Sequence, residues 1–279
     1  MWGIKSAEMF KTTALVLVII MVFVLLLTKN SNAIMRVMVG QEVKLNTAGF
    51  EEMATQHFII KYTAVDQDYM GIIAESAEEA VASVKEEFGW EPSRKTTLVV
   101  YPNGQSLASS FGWDKNEKAM GVYWGGSIRV LSPREWLTGD DIKEKFMKEG
   151  PMVHEFTHLM VDEITRGNYN RWWTEGIAQY AEKKITGFQF ADPFTGGRDM
   201  EYYNLEKLAS DFDRLDQQVA YWESLQLVEY IIDQYGEDEI FNILEQLGQN
   251  KTMAQAVQEC LEIDYNTFEK NFYQSLSNN

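Results

Sequence analysis

Two of the three histidines stand four residues apart with a glutamate directly after the first: His154-Glu155-Phe156-Thr157-His158. On an α-helix, positions i and i+4 lie on one face, one turn apart. Two imidazoles so placed can point at a single metal ion. Glu155, beside the first of them, can take a proton from a water that the metal activates. The same pentapeptide also arises by chance on amphipathic helices, so its surroundings decide. Gly150-Pro151 reads as a turn entering a helix, with the proline in the first turn, where its missing N–H costs least. Val153, Phe156, Leu159 and Met160 supply apolar packing, and Glu155 is the only carboxylate, lysine or arginine between Pro151 and Val161. A buried helix that turns two imidazoles towards a cleft has this composition, whereas a solvated one carries more charge.

A catalytic metal held by protein needs a third ligand. Arg171-Trp172-Trp173-Thr174-Glu175-Gly176-Ile177-Ala178 offers Glu175, seventeen positions after His158. The polar, turn-forming stretch Arg166-Gly167-Asn168-Tyr169-Asn170 lies between them, so the order is helix, loop, helix. An antiparallel return of that kind brings a carboxylate back to the two histidines. Taken alone, Glu175 would be a first-turn glutamate stabilised by the helix dipole; after the histidine pair, the ligand reading is the stronger.

With both motifs in place the chain resembles the gluzincin group of zinc metallopeptidases, and more closely the bacterial peptidase MA-like proteins, whose second motif reads W-x-x-E-G-x-A. The resemblance covers roughly residues 50 to 275. It implies Zn2+ bound by His154, His158 and Glu175, with Glu155 as general base and a peptide or protein as substrate. It further implies a strand beside the active-site helix that pairs with an extended substrate backbone, a place that Lys118 to Tyr123 occupies here. The aminopeptidase signature G-x-M-E-N is absent, which favours an endopeptidase. No histidine follows Glu175, so the donor that faces the tetrahedral oxyanion is sought among later tyrosines, as related gluzincins use one. Tyr221 matches best by position, with Tyr202 and Tyr203 competing. Gln179, one turn beyond Glu175, and Asp162, one turn beyond His158, are candidates for orienting the imidazoles.

The elements that must position these residues read as an α+β fold. An N-terminal mixed-sheet subdomain with the active-site helix precedes an all-helical C-terminal subdomain, and the zinc cleft lies between them. Strands are expected at 57–62 and 96–101, a helix at 75–88, and a hairpin turning at Gly125-Gly126. Helices follow at 140–147 and 152–165; from Trp172 onward nearly every segment is helical, including 174–185, about 203–213, and 217–235. His57 is expected as a strand histidine without metal, and Trp172 and Trp173 as packing residues.

The formal net charge of −17 excludes a basic nucleic-acid surface. One cysteine, Cys260, excludes an intrachain disulfide framework. Ala14 to Leu27 is uninterruptedly apolar, with Lys5 and Lys11 before it. We read 1–11 as a short cytoplasmic tail, 12–28 as a transmembrane signal anchor, 29–48 as a linker, and 49–279 as the peptidase domain facing outward from the cell membrane. Ser31-Asn32-Ala33 resembles a signal cleavage site, so a secreted enzyme is the alternative at this end. A catalytically silent binding or sensor module of the same fold is the alternative in function; intact Glu155 argues against it.

Overall fold

The computed structural model describes residues 31–195 and 201–277. The expected tail and membrane segment, 1–11 and 12–28, lie outside these residues. Among the described residues no helix is long and apolar enough to cross a membrane. In chain order the first half contains α1 (Ser31–Asn46), β1 (Glu51–Ala54), β2 (Phe58–Tyr62), α2 (Met70–Phe88), β3 (Thr96–Tyr101), α3 (Gly104–Ser110), β4 (Gly121–Trp124), β5 (Ser127–Leu131), α4 (Pro133–Trp136) and α5 (Ile142–Glu149). The rest is helical: α6 (Met152–Thr165), α7 (Arg171–Thr186), α8 (Leu205–Ser210), α9 (Gln217–Tyr235), α10 (Asp238–Gly248), α11 (Met253–Leu261) and α12 (Tyr265–Ser277).

The five strands form one mixed sheet in the order β1-β2-β3-β5-β4. The central pairs β2/β3 and β3/β5 are parallel, and the hairpins β1/β2 and β4/β5 are antiparallel. Central strand β3 reads Thr-Thr-Leu-Val-Val-Tyr because both its faces are covered. Its alternate residues Leu98 and Val100 enter the main core, whereas Val99 and Tyr101 enter a second cluster on the opposite face. What covers that opposite face corrects the expected linker at 29–48. Residues 31–46 are helix α1, and its Val39 and Val43 are buried against Val99, Tyr101, Leu107 and Leu131. Without α1 those strand residues would face water, so the chain folds back over them.

The main core runs without a break from Phe58 and Ile60 on β2, through Phe156 and Trp173, to Phe268 and Phe272 on α12. The sheet half and the helical half thus share one interior. Helix α6 threads through it, with Phe156, Met160 and Val161 fully buried, which accounts for its lack of surface charge. Trp172 and Trp173 are fully buried too, and pack as expected. Gly176 lets α9 approach α7: a Cβ there would lie 2.3 Å from the Ser224 carbonyl oxygen. That close crossing sets where α9 presents Tyr221.

Candidate active site

Helices α6 and α7 run antiparallel, and their contacts show the register. His158 meets Thr174 and Glu175 near the start of α7; His154, one turn earlier on α6, meets Glu182 further along α7. Glu175 Oε2 lies 3.3 Å from His154 Nε2 and 3.4 Å from His158 Nε2. Candidate ligand atoms of all three residues lie within 4.8 Å of one another. The sequence thus named three residues that the fold brings together.

The opposite nitrogen of each ring is also engaged. His154 Nδ1–H donates to Glu182 Oε2 at 3.3 Å, and His158 Nδ1 is 2.6 Å from Thr174 Oγ1. A carboxylate can only accept, so the proton of a neutral His154 sits on Nδ1 and its Nε2 lone pair faces Glu175. Glu175 Oε2 is buried and has no hydrogen-bond partner. Three electron-rich atoms converging in a buried place repel one another unless a cation sits among them. The two spacings from Glu175 to the imidazoles fit such an ion: ligand bonds of about 2.0–2.2 Å in a tetrahedron put the ligand atoms about 3.3–3.6 Å apart. The residues present therefore fit a metal ion held by two imidazoles and one carboxylate.

Titration directions agree with that crowding. Burial opposes a charged His154, but the facing carboxylates of Glu175 and Glu182 override it and hold the imidazole well above its ordinary value. Burial alone would raise the Glu175 carboxyl; the facing His158 and His154 rings carry it well below the carboxylate range instead. The proton held there is what a divalent cation replaces when it binds.

Glu155, between the two histidines on α6, also reaches the sheet edge. Its Oε2 accepts a 2.6 Å hydrogen bond from the backbone N–H of Tyr123 on β4. Burial raises its carboxyl above the ordinary value, and Glu175 adds to this, against the lowering by the two imidazoles and the Tyr123 amide. Gly121 presses against the same side chain: a Cβ there would lie 2.6 Å from Pro151 Cβ and 2.8 Å from Glu155 Cγ, so only glycine fits. Met120 C=O accepts from Leu131 N–H, and Val122 pairs across from Arg129. By the alternation of an antiparallel ladder, Gly121 and Tyr123 therefore turn their backbone groups away from β5, towards the site. The expected substrate strand thus does flank the active-site helix, but one of its outward N–H groups is already taken by Glu155.

Of the three tyrosines considered, Tyr221 reaches the cluster, its hydroxyl donating to Glu175 Oε1 at 3.2 Å. Burial, first, and the neighbouring Glu175 keep that phenol protonated by raising its pKa. Tyr202 instead stacks on Trp222, and the Tyr203 hydroxyl accepts from Asp216 N–H at 3.1 Å. Arg171, which the sequence did not single out, also donates to Glu175 Oε1, at 3.2 Å. Neither residue proposed to orient the imidazoles does so. Gln179 donates to the backbone carbonyls of Glu175 and Tyr221, at 3.2 and 2.8 Å, tying α7 to α9. Asp162 is instead bound to Arg36 and Tyr123. The orienting groups are Glu182 and Thr174. His57 lies away from the cluster, with Nδ1 at 2.6 Å from Glu78. Cys260, half-buried on α11, packs against the main core.

Comparison with known proteins adds a family to this geometry. A search among curated proteins gave no match. A family model described as the Peptidase MA superfamily matches residues 76–278, a span that holds β4, all three members of the cluster, Glu155 and Tyr221. The match extends over most of the chain, and the chain accordingly belongs to the Peptidase MA superfamily of metallopeptidases.

Proposed function

We propose that this protein is a zinc-dependent endopeptidase anchored in the cell membrane by residues 12–28, with residues 49–279 as its catalytic domain on the outer side. The buried, unpartnered Glu175 Oε2 between two imidazole Nε2 atoms carries the metal part of the reading. His154, His158 and Glu175 would hold Zn2+, the borderline-soft ion that suits two imidazoles and one carboxylate. Bound there, zinc supplies Lewis acidity, which lowers the pKa of water and polarises the scissile carbonyl.

The chain's own residues do the rest. Glu155 accepts the proton of the attacking water and passes it to the leaving amine. Glu182 and Thr174 hold the two imidazoles with Nε2 turned inward. Gly121, having no side chain, lets Glu155 lie against the edge strand, whose outward backbone groups would pair with an extended peptide. Tyr221, protonated at neutral pH, donates to the oxyanion once its hydroxyl leaves Glu175.

The deciding experiment measures zinc content after dialysis together with hydrolysis of an unstructured protein, for wild type and two variants. Glu155→Gln should keep one equivalent of zinc and lose hydrolysis by orders of magnitude, because an amide cannot accept the water's proton. His154→Ala with His158→Ala should lose the metal. Near-wild-type turnover in the first variant, or a full equivalent of zinc in the second, would refute the assignment. Zinc binding without any hydrolysis by the wild type would point to a silent module instead.

A further inference from the structure

Helix α1 packs beside the β4–β5 hairpin on the second face of the sheet. Val39 fills the space over Gly125 in the hairpin turn, where an added Cβ would lie 2.7 Å from Val39 Cγ2. Glu42 takes Nη2 of Arg129 on β5 at 2.7 Å, and Arg129 is itself 1 % exposed. One turn before Val39, Arg36 reaches past the hairpin to the active-site helix. Its Nε and Nη2 donate to Asp162 Oδ2 at 3.1 and 2.5 Å. That same oxygen accepts from the Tyr123 hydroxyl at 2.5 Å. The backbone N–H of Tyr123 is the group that holds Glu155, at 2.6 Å. A continuous chain of hydrogen bonds therefore runs from α1 to the proposed base, through a side chain and a backbone amide of one residue.

We infer that α1 is a strap whose Arg36, acting through Asp162 and Tyr123, positions the edge strand β4 and with it Glu155 for catalysis. The inference rests on the peptidase reading for its effect on turnover, but not for its effect on β4. Asp162 gathers three donors on one oxygen, and two of them are a guanidinium fork that fixes direction as well as distance. Tyr123 cannot shift along the strand without breaking its hydroxyl bond to Asp162. Its amide cannot turn from Glu155 while the hydroxyl stays. Arg36, Asp162 and Tyr123 are thus positioning residues, and the hydrogen bond that reaches Glu155 comes from the Tyr123 backbone.

The test uses the full-length protein with Tyr123→Phe, Arg36→Met and Arg36→Lys. As a control, Val37→Ser changes a residue on the exposed side of α1, 66 % exposed. Tyr123→Phe and Arg36→Met should lower kcat by between about tenfold and a hundredfold, the scale of a small misplacement at the reacting centre. KM should change by less than about threefold, since uniform binding is untouched. Zinc content should stay at the wild-type value. Arg36→Lys, which keeps a cation on Asp162, should recover most of the turnover, and Val37→Ser should equal wild type. The double variant should cost no more than the worse single one, because both cut the same chain.

Amide hydrogen exchange gives a readout independent of activity. The Tyr123 amide, facing away from β5, owes its protection to Glu155, so it should exchange faster in Tyr123→Phe and Arg36→Met while α6 stays protected. Unchanged kcat and unchanged exchange in both variants would overturn the strap. So would a loss of turnover matched by loss of zinc or by an equal loss in Val37→Ser, since these mark general destabilisation. An inactive wild type whose exchange pattern still responds to Arg36 would retire the peptidase reading and leave the strap standing.

Discussion

Glu182 reaches His154 from two helical turns beyond Glu175, and that spacing was open to inspection in the sequence. Positions 175, 179 and 182 share a face of α7, just as 154 and 158 share a face of α6. Antiparallel helices then require that a partner for the earlier histidine lie later on α7. The choice of Gln179 missed this by one turn, because its neutral amide is spent on two backbone carbonyls. Tyr123 gave no such signal: its hold on Glu155 is through a backbone amide, and any residue type could supply one. Two predictions belong at this scale. Glu182→Gln should weaken zinc binding by about tenfold to a hundredfold, the usual cost of removing a carboxylate behind a metal-bound imidazole, with kcat at saturating zinc changed much less. Competition with a chromophoric chelator measures it, and wild-type affinity would deny Glu182 an orienting role. Tyr221→Phe should lower kcat by on the order of a hundredfold, or about 3 kcal/mol, with little change in KM, because its hydroxyl meets charge that exists only in the transition state. An unchanged kcat would pass the role to Arg171, which shares Glu175 Oε1 with it.

Among the elements, those with a clear period were readable, and those defined by a partner were not. Strand β3 and helices α6 and α9 fall where alternation and helical spacing put them, because each buries one consistent set of positions. Helix α1 hid itself: Val39 and Val43 are buried, but Ile34, Val37, Met38 and Leu45 are exposed on its other side, so the apolar residues mark no single face. Glycine at position 40 further weakened the helical signal. Short β1 and α3 carry too few residues for any period to show. On α9, Glu223 is fully buried, and its oxygens accept the Tyr203 N–H at 2.9 and 3.1 Å. Burial lifts its carboxyl to about 8, against the lowering by that one amide. In the unfolded chain it titrates near about 4.3, so between these values the folded state binds more protons. The stabilisation by neutral Glu223 is therefore complete below the unfolded value and is lost as pH rises through about 8. Urea unfolding at pH 6.5 and pH 9 should show wild type weaker at the higher pH. Glu223→Gln, neutral throughout, should flatten that difference; an equal loss in the variant would assign the pH dependence to other groups.

At the scale of the whole molecule, α1 changes what the N-terminal apolar run would do. On the anchored reading, a flexible stretch between bilayer and enzyme would let the cleft wander, and its reach would grow with the square root of linker length. Instead α1 is fixed to the sheet by Val39, Glu42 and Val43 and to α6 by Arg36, and only residues 28–30 separate Leu27 from its first residue. Three extended residues span at most about 11 Å. Inserting about ten Gly/Ser residues before Ser31 should leave the cleavage of a soluble peptide unchanged. In a membrane-tethered reporter carrying cut sites at graded heights, it should spread the preferred site outward by roughly 15–20 Å. An unaltered cut pattern would mean that the segment does not hold the enzyme at the bilayer, as would a mature N-terminus at Ile34 in the medium. Mounted this way, the enzyme would work at a set height. A polypeptide loop that stands too far from the bilayer would escape it whatever its sequence, and one at the right level would meet the cleft at a high local concentration. Selectivity can then come from a ruler built into the mounting, with little demand on the residues that line the cleft.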